Sequence, residues 1–529
     1  MTALSTREVE HKFQVSGSFQ LPPLDSVVPS IEDRGATTLT ATYYDTSDLR
    51  LARAGITLRQ RSGGDDAGWH LKLPVSRFSP VEVHDAGAPA RDEIHLAAAA
   101  AGSVHPAATG STATNPPGQL VWLVRAITRH AAMAPIATLV TERTTWLLRD
   151  ASGAAIGELV DDLVAAVDTE GATTSTFREV ELEERPASTP ELVRAIGAAL
   201  TAAGAEAGRF VPKVVRALGS SVVGRPEIPE RAELGPGASA QAVIVDYLAD
   251  QVRALRAADL GVRRDAEDAV HQLRVAARRF RSCLRAFQPL FDRTWADELR
   301  AEIGWMASKL GSSREGEVLL ERLAEITAAD ARPAVRLLES SLADTLAEAR
   351  SDIADTLNSG RYLDLHDALI DACNQPPTTA AAEGPAVDVL LPRVAKAWKR
   401  LRRKVRNVLA AEQKAPASDA AWHATRIAAK RARYAVDAVC GVFGPAAAEL
   451  GRQLAGVTDI LGEHQDAAIA AELAAELAGG MAQPDDAETI FALGVVHDVE
   501  RDQVTRARRE FADRWPQVAD ADPLQWSSR

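Results

Sequence analysis

Cysteine is scarce: Cys283, Cys373 and Cys440 are the only three in 529 residues, and no two form a CxxC pair. That argues against a disulfide framework or a thiolate zinc site and fits a reducing compartment. Aromatic residues make up only 5% of the chain, so its cores must lean on Ala, Leu and Val, a mix that favours helices. No apolar run reaches membrane-spanning length, and the opening MTALSTREVEHKF has no apolar signal core. Positive charge is in deficit, with 60 Lys and Arg against 73 Asp and Glu and a net charge of −13, which disfavours a protein that coats nucleic acid. The GxxxxGK[ST] loop, the HExxH helix and the GxSxG elbow are all missing. These absences lead to the expectation of a soluble cytoplasmic protein that neither enters a membrane nor binds a specific nucleic acid.

What is present is of ordinary globular composition, 46% hydrophobic and 25% charged, and long enough for roughly two to four domains. The texture changes near residue 220. Before it, REVEHKF, ITLRQR, WHLKL, TERTTWLL and FREVELEE alternate with period two, as strands do when their faces meet different surroundings. Loops are expected at residues 63–68 and 97–118, and a Pro/Gly-containing connector follows at 220–236. Beyond it the period is 3.6, interrupted by QPPTTAAAEGP. The helical half repeats itself: HQLRVAARRFR at His271 answers HATRIAAKRAR at His423, 152 residues on, and Leu310-Gly311 answers Leu461-Gly462, 151 residues on.

In the first strand Glu8, Glu10 and Lys12 share one face, and Val9, His11 and Phe13 the other. Arg59 and Arg61 share a face, as do His70 and Lys72, Arg91 and Glu93, and Glu179, Glu181 and Glu183, while Arg143 lies in TERTTW. The alternate positions, such as Leu58, Leu71, Val180 and Leu182, are apolar. Such strands make either a sandwich with a wet face or a barrel whose lumen is charged. A lumen of that kind suits a phosphate ligand with a hard cation, because carboxylates hold Mg²⁺ and Arg or Lys hold phosphate oxygens.

The ExExK start, YYDT at Tyr43 to Thr46, LRQR, LKL, RDE and the late ExExE run resemble the CYTH domain of the triphosphate tunnel metalloenzymes. The resemblance spans about residues 5–219. It departs from the family at Val211-Pro212-Lys213, where Ser usually precedes the final Lys. It implies an antiparallel eight-stranded tunnel with flanking helices over residues 1–219, hydrolysing or cyclising a triphosphate with Mg²⁺ or Mn²⁺. It also implies metal carboxylates at Glu8, Glu10, Glu179, Glu181 and Glu183, with Asp162 a weaker match, as are Arg91 and Glu93. Triphosphate contacts would be Lys12, Arg59, Arg61, Lys72, Arg143, Lys213 and Arg216.

In the helical half, His271, Arg274, Arg278, Arg281 and Arg285 fall on one helix face, opposite Leu273, Ala277, Phe280, Leu284 and Phe287. His423, Arg426, Lys430 and Arg433 repeat the pattern, and Lys396, Lys399, Arg403 and Arg406 form another stripe. Between Arg393 and Tyr434 there are 13 Lys and Arg against two acids, Glu412 and Asp419. Neither histidine has a metal-ligand partner at a suitable spacing, so the stripes suit a linear polyanion better than a metal. They resemble the CHAD domain, a duplicated helical bundle that binds inorganic polyphosphate, over about residues 237–520. The repeats would be about 237–374 and 386–520, in an α+β multidomain chain. The resemblance implies polyphosphate contacts at His271, Arg274, Arg278, Arg281, His423, Arg426, Lys430 and Arg433. Where the family often shows RDxDV, this chain has Arg314-Glu315-Gly316-Glu317-Val318.

The leading expectation is an inorganic triphosphatase joined to a polyphosphate-binding domain. A tunnel acting on thiamine triphosphate or nucleoside triphosphates, including ATP cyclisation, is the alternative within enzymes. A non-catalytic polyphosphate-binding protein is the alternative outside them. The sequence leaves the oligomeric state open.

Overall fold

In a computed structural model of the chain the described residues are 4–75, 90–97, 115–168, 171–208, 211–311, 322, 331–480 and 487–528. Most of the loop expected at 97–118 and all of Arg314–Val318 lie outside them. The chain divides into two compact units, Met1–Glu227 and Ile228–Arg529.

The first unit is built on eight long antiparallel strands. They are β1 (Leu4–Val15), β2 (Ser30–Thr46), β3 (Thr57–Ser62), β4 (Gly68–Pro74), β5 (Ala90–Ala97), β6 (Met133–Arg149), β7 (Ala155–Val167) and β8 (Thr173–Glu184). Their order is β5-β4-β3-β2-β6-β7-β8-β1, and β1 also pairs with β5, which closes the barrel. Closure is shared along β1: residues 4–9 pair with β5 and residues 10–15 with β8. A two-residue strand, Glu206–Ala207, adds to the outer half of β1. The β3–β4 turn needs Gly63, because φ is +84° there and a Cβ would run into the Thr38 carbonyl.

Period-two alternation gives each strand two unlike faces, and the barrel is inside-out relative to a small greasy one. The apolar faces point outward: Phe13, Leu148, Leu159, Val180 and Leu182 pack under helix α1 (Pro190–Ala202) through its Val193, Ile196 and Leu200. Thr189 caps that helix, its Oγ1 accepting from Leu192 N at 3.3 Å. Each such fully buried side chain contributes about 1.5–3 kcal/mol, so the framework's stability comes from outside the lumen. The lumen is thereby left mostly to polar side chains, with Val160 among them, except at one end. There Val214 of helix α2 (Lys213–Leu218) plugs the barrel against Ala41, Tyr43, Leu139, Val164 and Ala166.

The second unit is helical. Its long elements are α3 (Ala240–Arg263), α4 (Ala269–Ala286), α5 (Arg293–Lys309), α6 (Arg332–Asn358), α7 (Gly360–Asn374), α8 (Leu391–Glu412), α9 (Asp419–Asp437), α10 (Cys440–Gly480, kinked at Gly444-Pro445) and α11 (Ala487–Arg514). The order α3-α4-α5 recurs as α8-α9-α10, each with its histidine-led stripe on the middle helix. Leu273, Ala277, Phe280, Leu284 and Phe287 are fully buried, and α4 packs on α3, α5 and α9. The apolar face of α4 therefore turns inward and its basic face is left toward α9. Among the described residues no helix is long and apolar enough to cross a membrane.

Candidate active site and polyanion surface

The lumen encloses a cavity of about 430 Å³. Its lining comes from every strand: Glu8, Glu10 and Lys12 of β1, Tyr43 of β2, Arg59 and Arg61 of β3, Lys72 of β4, Arg91 and Glu93 of β5, Arg143 of β6, Glu158 of β7, and Glu181 and Glu183 of β8, with Lys213 at the start of α2. The antiparallel register sets neighbours side by side: Tyr43 opposes Arg59, Lys12 opposes Glu181, Glu10 opposes Glu183, and Lys72 opposes Glu93.

The β3–β5 wall is rich in cations. Arg59 donates to Tyr43 Oη at 3.4 Å, and its buried Nε has no partner. Among the described residues no carboxylate lies within ion-pair reach of Arg59. Arg61 pairs with Asp66 but leaves its own Nε unpartnered. Burial, then repulsion from Arg59 and Arg143, pushes Arg61 down to about 9. His70 donates from Nε2 to the Asp66 carbonyl (2.9 Å), meets Glu93 through Nδ1 (2.8 Å) and stacks on His95. Burial pushes its pKa down to about 4, against the pull of Glu93. Arg91 donates to the Gly55 carbonyl.

The β1–β7–β8 wall is rich in carboxylates. Glu181 accepts from Lys12, from Lys213 at 2.5 Å and from Arg143 at 3.4 Å. Burial alone would raise Glu181, but Lys12 and Lys213 hold it well below the usual range. Glu10, buried beside Glu181, is raised by burial and by that neighbour's charge. Glu8 accepts from Lys72 at 2.6 Å, yet burial and the neighbouring Glu93 push it up to about 8. Burial also raises Glu183, which pairs with Arg185 at 3.0 Å. One side of the lumen thus holds guanidiniums with unmet donors, and on the other Glu8, Glu10 and Glu183 are left with raised carboxyls.

Divalent metal ions with hard, oxygen-seeking chemistry suit such donors. Among the described residues no three His, Cys, Asp or Glu side chains form a ready-made metal group, because Lys12, Lys72 and Lys213 occupy the carboxylates. The donor chemistry nevertheless fits a hard divalent cation at Glu8, Glu10 and Glu183, whose carboxyls are raised, with Glu181, already served by Lys12 and Lys213, beside Glu10.

Not every residue expected in the lumen borders the cavity. Asp162 and Glu179 are 0% and 2% exposed and sit behind it. Asp162 holds Arg143 in a two-pronged pair at 2.8 and 2.7 Å and Lys213 at 3.0 Å. Glu179 accepts from Lys213 at 2.9 Å and from Arg216 at 3.1 Å, while Arg216 lies over the Phe177 ring at 4.3 Å. Asp162 and Glu179 hold the cavity's cations Arg143 and Lys213 in place, and Arg216 braces Glu179 from behind. Several lining residues escaped the sequence reading, among them Glu158, Arg185 and Asp66. Glu158 has the same strand parity as Asp162 in GELVDD, which was a usable signal. Arg185, which bridges Glu158 (2.7 Å) and Glu183, and Asp66, in the β3–β4 turn, carry no periodic signal.

In the second unit the two stripes converge in part. Arg278 of α4 donates to Tyr434 Oη of α9 at 3.0 Å, crossing from one repeat to the other. Beside it lie Arg426, whose Nε is buried without a partner, and Lys430. Burial, then Arg426 and Arg278, pushes Lys430 to about 7, with Asp466 the opposing charge. Burial also lowers Arg281, with Arg300 and Arg285 adding to the effect. The others are otherwise engaged: Arg274 donates to the Gly311 carbonyl at 2.8 Å, Arg433 to Thr458 Oγ1 at 2.7 Å, and His423 meets Gln465 at 2.5 Å. His271 is half-buried on α4, one turn before Arg274.

A family model for the CYTH domain matches residues 6–214, and one for the CHAD domain matches residues 246–475. Over 539 residues the chain is 32% identical to an uncharacterized protein found in two strains of Mycobacterium tuberculosis, covering 95% of this chain and 94% of that one. Among solved structures, PptA from Streptomyces chartreusis is 27% identical over 53% of this chain and 100% of its own, with a TM-score of 0.45. The CHAD domain from the plant Ricinus communis is 24% identical over 55% of this chain and 97% of its own, with a TM-score of 0.42. This chain belongs to the proteins that join a CYTH domain, the domain of metal-dependent tunnel enzymes acting on triphosphates, to a following CHAD domain.

Proposed function

We propose that the first unit hydrolyses inorganic triphosphate to pyrophosphate and phosphate with Mg²⁺ or Mn²⁺, and that the second binds inorganic polyphosphate. The observation that carries the first part is the pair of guanidiniums, Arg59 and Arg61, whose buried Nε atoms have no partner, in a 430 Å³ lumen shared with the raised carboxyls of Glu8, Glu10 and Glu183. A chain of phosphates meets the cations' need for oxygen acceptors, and a divalent cation meets the carboxylates' need for charge. Tyr43 is the single aromatic side chain in the described lining, and its hydroxyl faces Arg59. The lining therefore favours an inorganic substrate over one carrying a base or a thiazole ring.

Phosphoryl transfer asks for position and charge neutralisation more than covalent help. Arg59, Arg61, Arg91 and Lys72 would grip phosphate oxygens from one wall. Lys12, Lys213 and Arg143, held by Asp162, Glu179 and Glu181, would stabilise charge that builds on the leaving pyrophosphate. Glu8, Glu10, Glu181 and Glu183 would hold the cation, which when bound supplies charge neutralisation and an activated water. The reading of the second unit is supported by Arg278, Arg426 and Lys430, cations from both repeats packed together with Asp466 as the nearest opposing charge.

The test is Glu10→Gln and Glu181→Gln. Both keep side-chain shape and remove an anionic donor, so metal-dependent phosphate release should fall by at least ~100-fold, about 2.7 kcal/mol of barrier, with folding retained. Near-normal turnover at limiting Mg²⁺ in both variants would end the assignment.

A further inference from the structure

A groove on the second unit lies outside both the tunnel and the histidine-led stripes. It has a volume of about 440 Å³ and runs between α8 and the segment after α11, lined by Lys399, Arg402, Arg403 and Arg406 over a floor of Leu409 and Trp515. The cations fall at i, i+3, i+4 and i+7, one face of the helix. All four are exposed, and among the described residues none has an ion pair or side-chain hydrogen bond. Elsewhere in this unit cations are drawn to carboxylates, as where Arg501 and Arg508 share Asp419 and Arg322 pairs with Glu463 and Glu500. In a chain of net charge −13, a row of exposed cations without ion pairs is a positive patch.

The floor decides what kind of anion fits. Trp515 is only 8% exposed, and its ring packs on Phe511 at 5.9 Å and on Trp398 at 5.7 Å. With so little of the ring exposed, it is no open platform on which nucleobases could stack. The groove reads charge alone. Its helix also carries Arg400, which lies with Arg285 and Arg300 near Arg431 of α9, and burial plus these neighbours lowers Arg431. Cationic surface thus continues from the groove's helix toward the stripes on α4 and α9.

We infer that this groove is a second seat for an inorganic phosphate chain, so that long polyphosphate engages the helical unit at two places. The inference rests on the reading of that unit as polyphosphate-binding and adds to it a site and a dependence on chain length. Once one stretch of chain is held by Arg278, Arg426 and Lys430, binding of a second stretch in the groove becomes intramolecular and gains effective concentration. A chain too short to reach both seats lacks that gain.

The experiment compares the full-length parent, a groove variant (Lys399, Arg402, Arg403 and Arg406 all replaced by Gln) and a stripe variant (Arg274, Arg278, Arg426 and Lys430 all replaced by Gln). Each is titrated with long-chain polyphosphate and with tripolyphosphate, with thermal unfolding as the fold control. If the groove variant melts early, the double variant Arg402→Gln/Arg406→Gln takes its place. The groove variant should bind long chains at least about tenfold more weakly, with a much smaller change for tripolyphosphate. Unchanged long-chain affinity in the folded groove variant, with the stripe variant impaired, would overturn the second seat and leave the polyphosphate reading standing. Unchanged affinity in both variants, or no binding by the parent, would overturn both. Loss in the groove variant alone would support the groove and remove the stripes from the reading. Single-stranded RNA and vesicles containing anionic lipid serve as competing occupants. If either bound the parent more tightly than polyphosphate and lost binding in the groove variant, inorganic phosphate would be the wrong occupant.

Discussion

Lys213 is the side chain on which the deep end of the tunnel most depends. Its ammonium lies 3.0 Å from Asp162, 2.9 Å from Glu179 and 2.5 Å from Glu181, and only 10% of the side chain is exposed. Burial opposes its charge, yet Glu181, Glu179 and Asp162 together hold its pKa well above the ordinary lysine value. Lys213→Met keeps much of the stem and removes the charge, leaving three buried carboxylates to Lys12, Arg143 and Arg216. Removing one partner of a buried ionic group costs about 3–5 kcal/mol. In a unit of this size that lowers the melting temperature by about 6–20 °C. The pH dependence follows from the depressed carboxyls. Asp162 and Glu181 titrate below their ordinary 3.8 and 4.5, so their stabilisation is present above those values and is lost as pH falls through the depressed ones. The gap between parent and variant should therefore be full at pH 7 and narrow as the pH drops below about 4.5. Calorimetry of the full-length chain across that range reads both quantities. A loss under about 1 kcal/mol at pH 7, or a gap that does not narrow in acid, would refute the view that Lys213 neutralises this cluster.

Two further outcomes follow from the helical unit. The Arg274, Arg278, Arg426 and Lys430 quadruple Gln variant should bind polyphosphate more weakly and with a shallower salt dependence, because each lost phosphate contact removes released counterions; helix content by circular dichroism should be unchanged, and an unaltered salt slope would return the stripes to plain solvated surface. Lys430, lowered to about 7 by burial and by Arg426 and Arg278, gains its proton as pH falls through that value, so polyphosphate affinity should rise between pH 8 and pH 6 by up to about tenfold, the equivalent of one pKa unit; Lys430→Gln should flatten that rise, and an equal rise in the variant would assign it elsewhere.

Much of the site could be read from strand parity. Which of Glu8, Val9, Glu10, His11 and Lys12 face the lumen follows from a period of two, and so do Arg59 with Arg61 and Glu181 with Glu183. Parity gives a face but not a depth. Asp162 and Glu179 have lumen parity, yet helix α2 enters the barrel at that level with Val214 and Lys213, so the two carboxylates end behind the cavity as supports. Asp66 is invisible to periodicity because its turn brings it back over Arg61. In the helical half the 3, 4 spacing identifies the basic face but not its competitors. Arg274 is drawn to the carbonyls of Leu310 and Gly311, the groups a helix leaves unsatisfied at its C-terminus. The groove on α8 lay within the basic stretch that the sequence displays; only the packing of Trp515 against it shows a cleft.

The central claim is a metal-dependent tunnel for inorganic triphosphate. It is tested most directly by phosphate release from tripolyphosphate, ATP and thiamine triphosphate, with the full-length chain, in the presence of Mg²⁺ or Mn²⁺ and after chelation. The account predicts fastest release from tripolyphosphate, loss of release on chelation and its return when the metal is restored. Equal release with and without metal, or a preference for ATP or thiamine triphosphate, would contradict it.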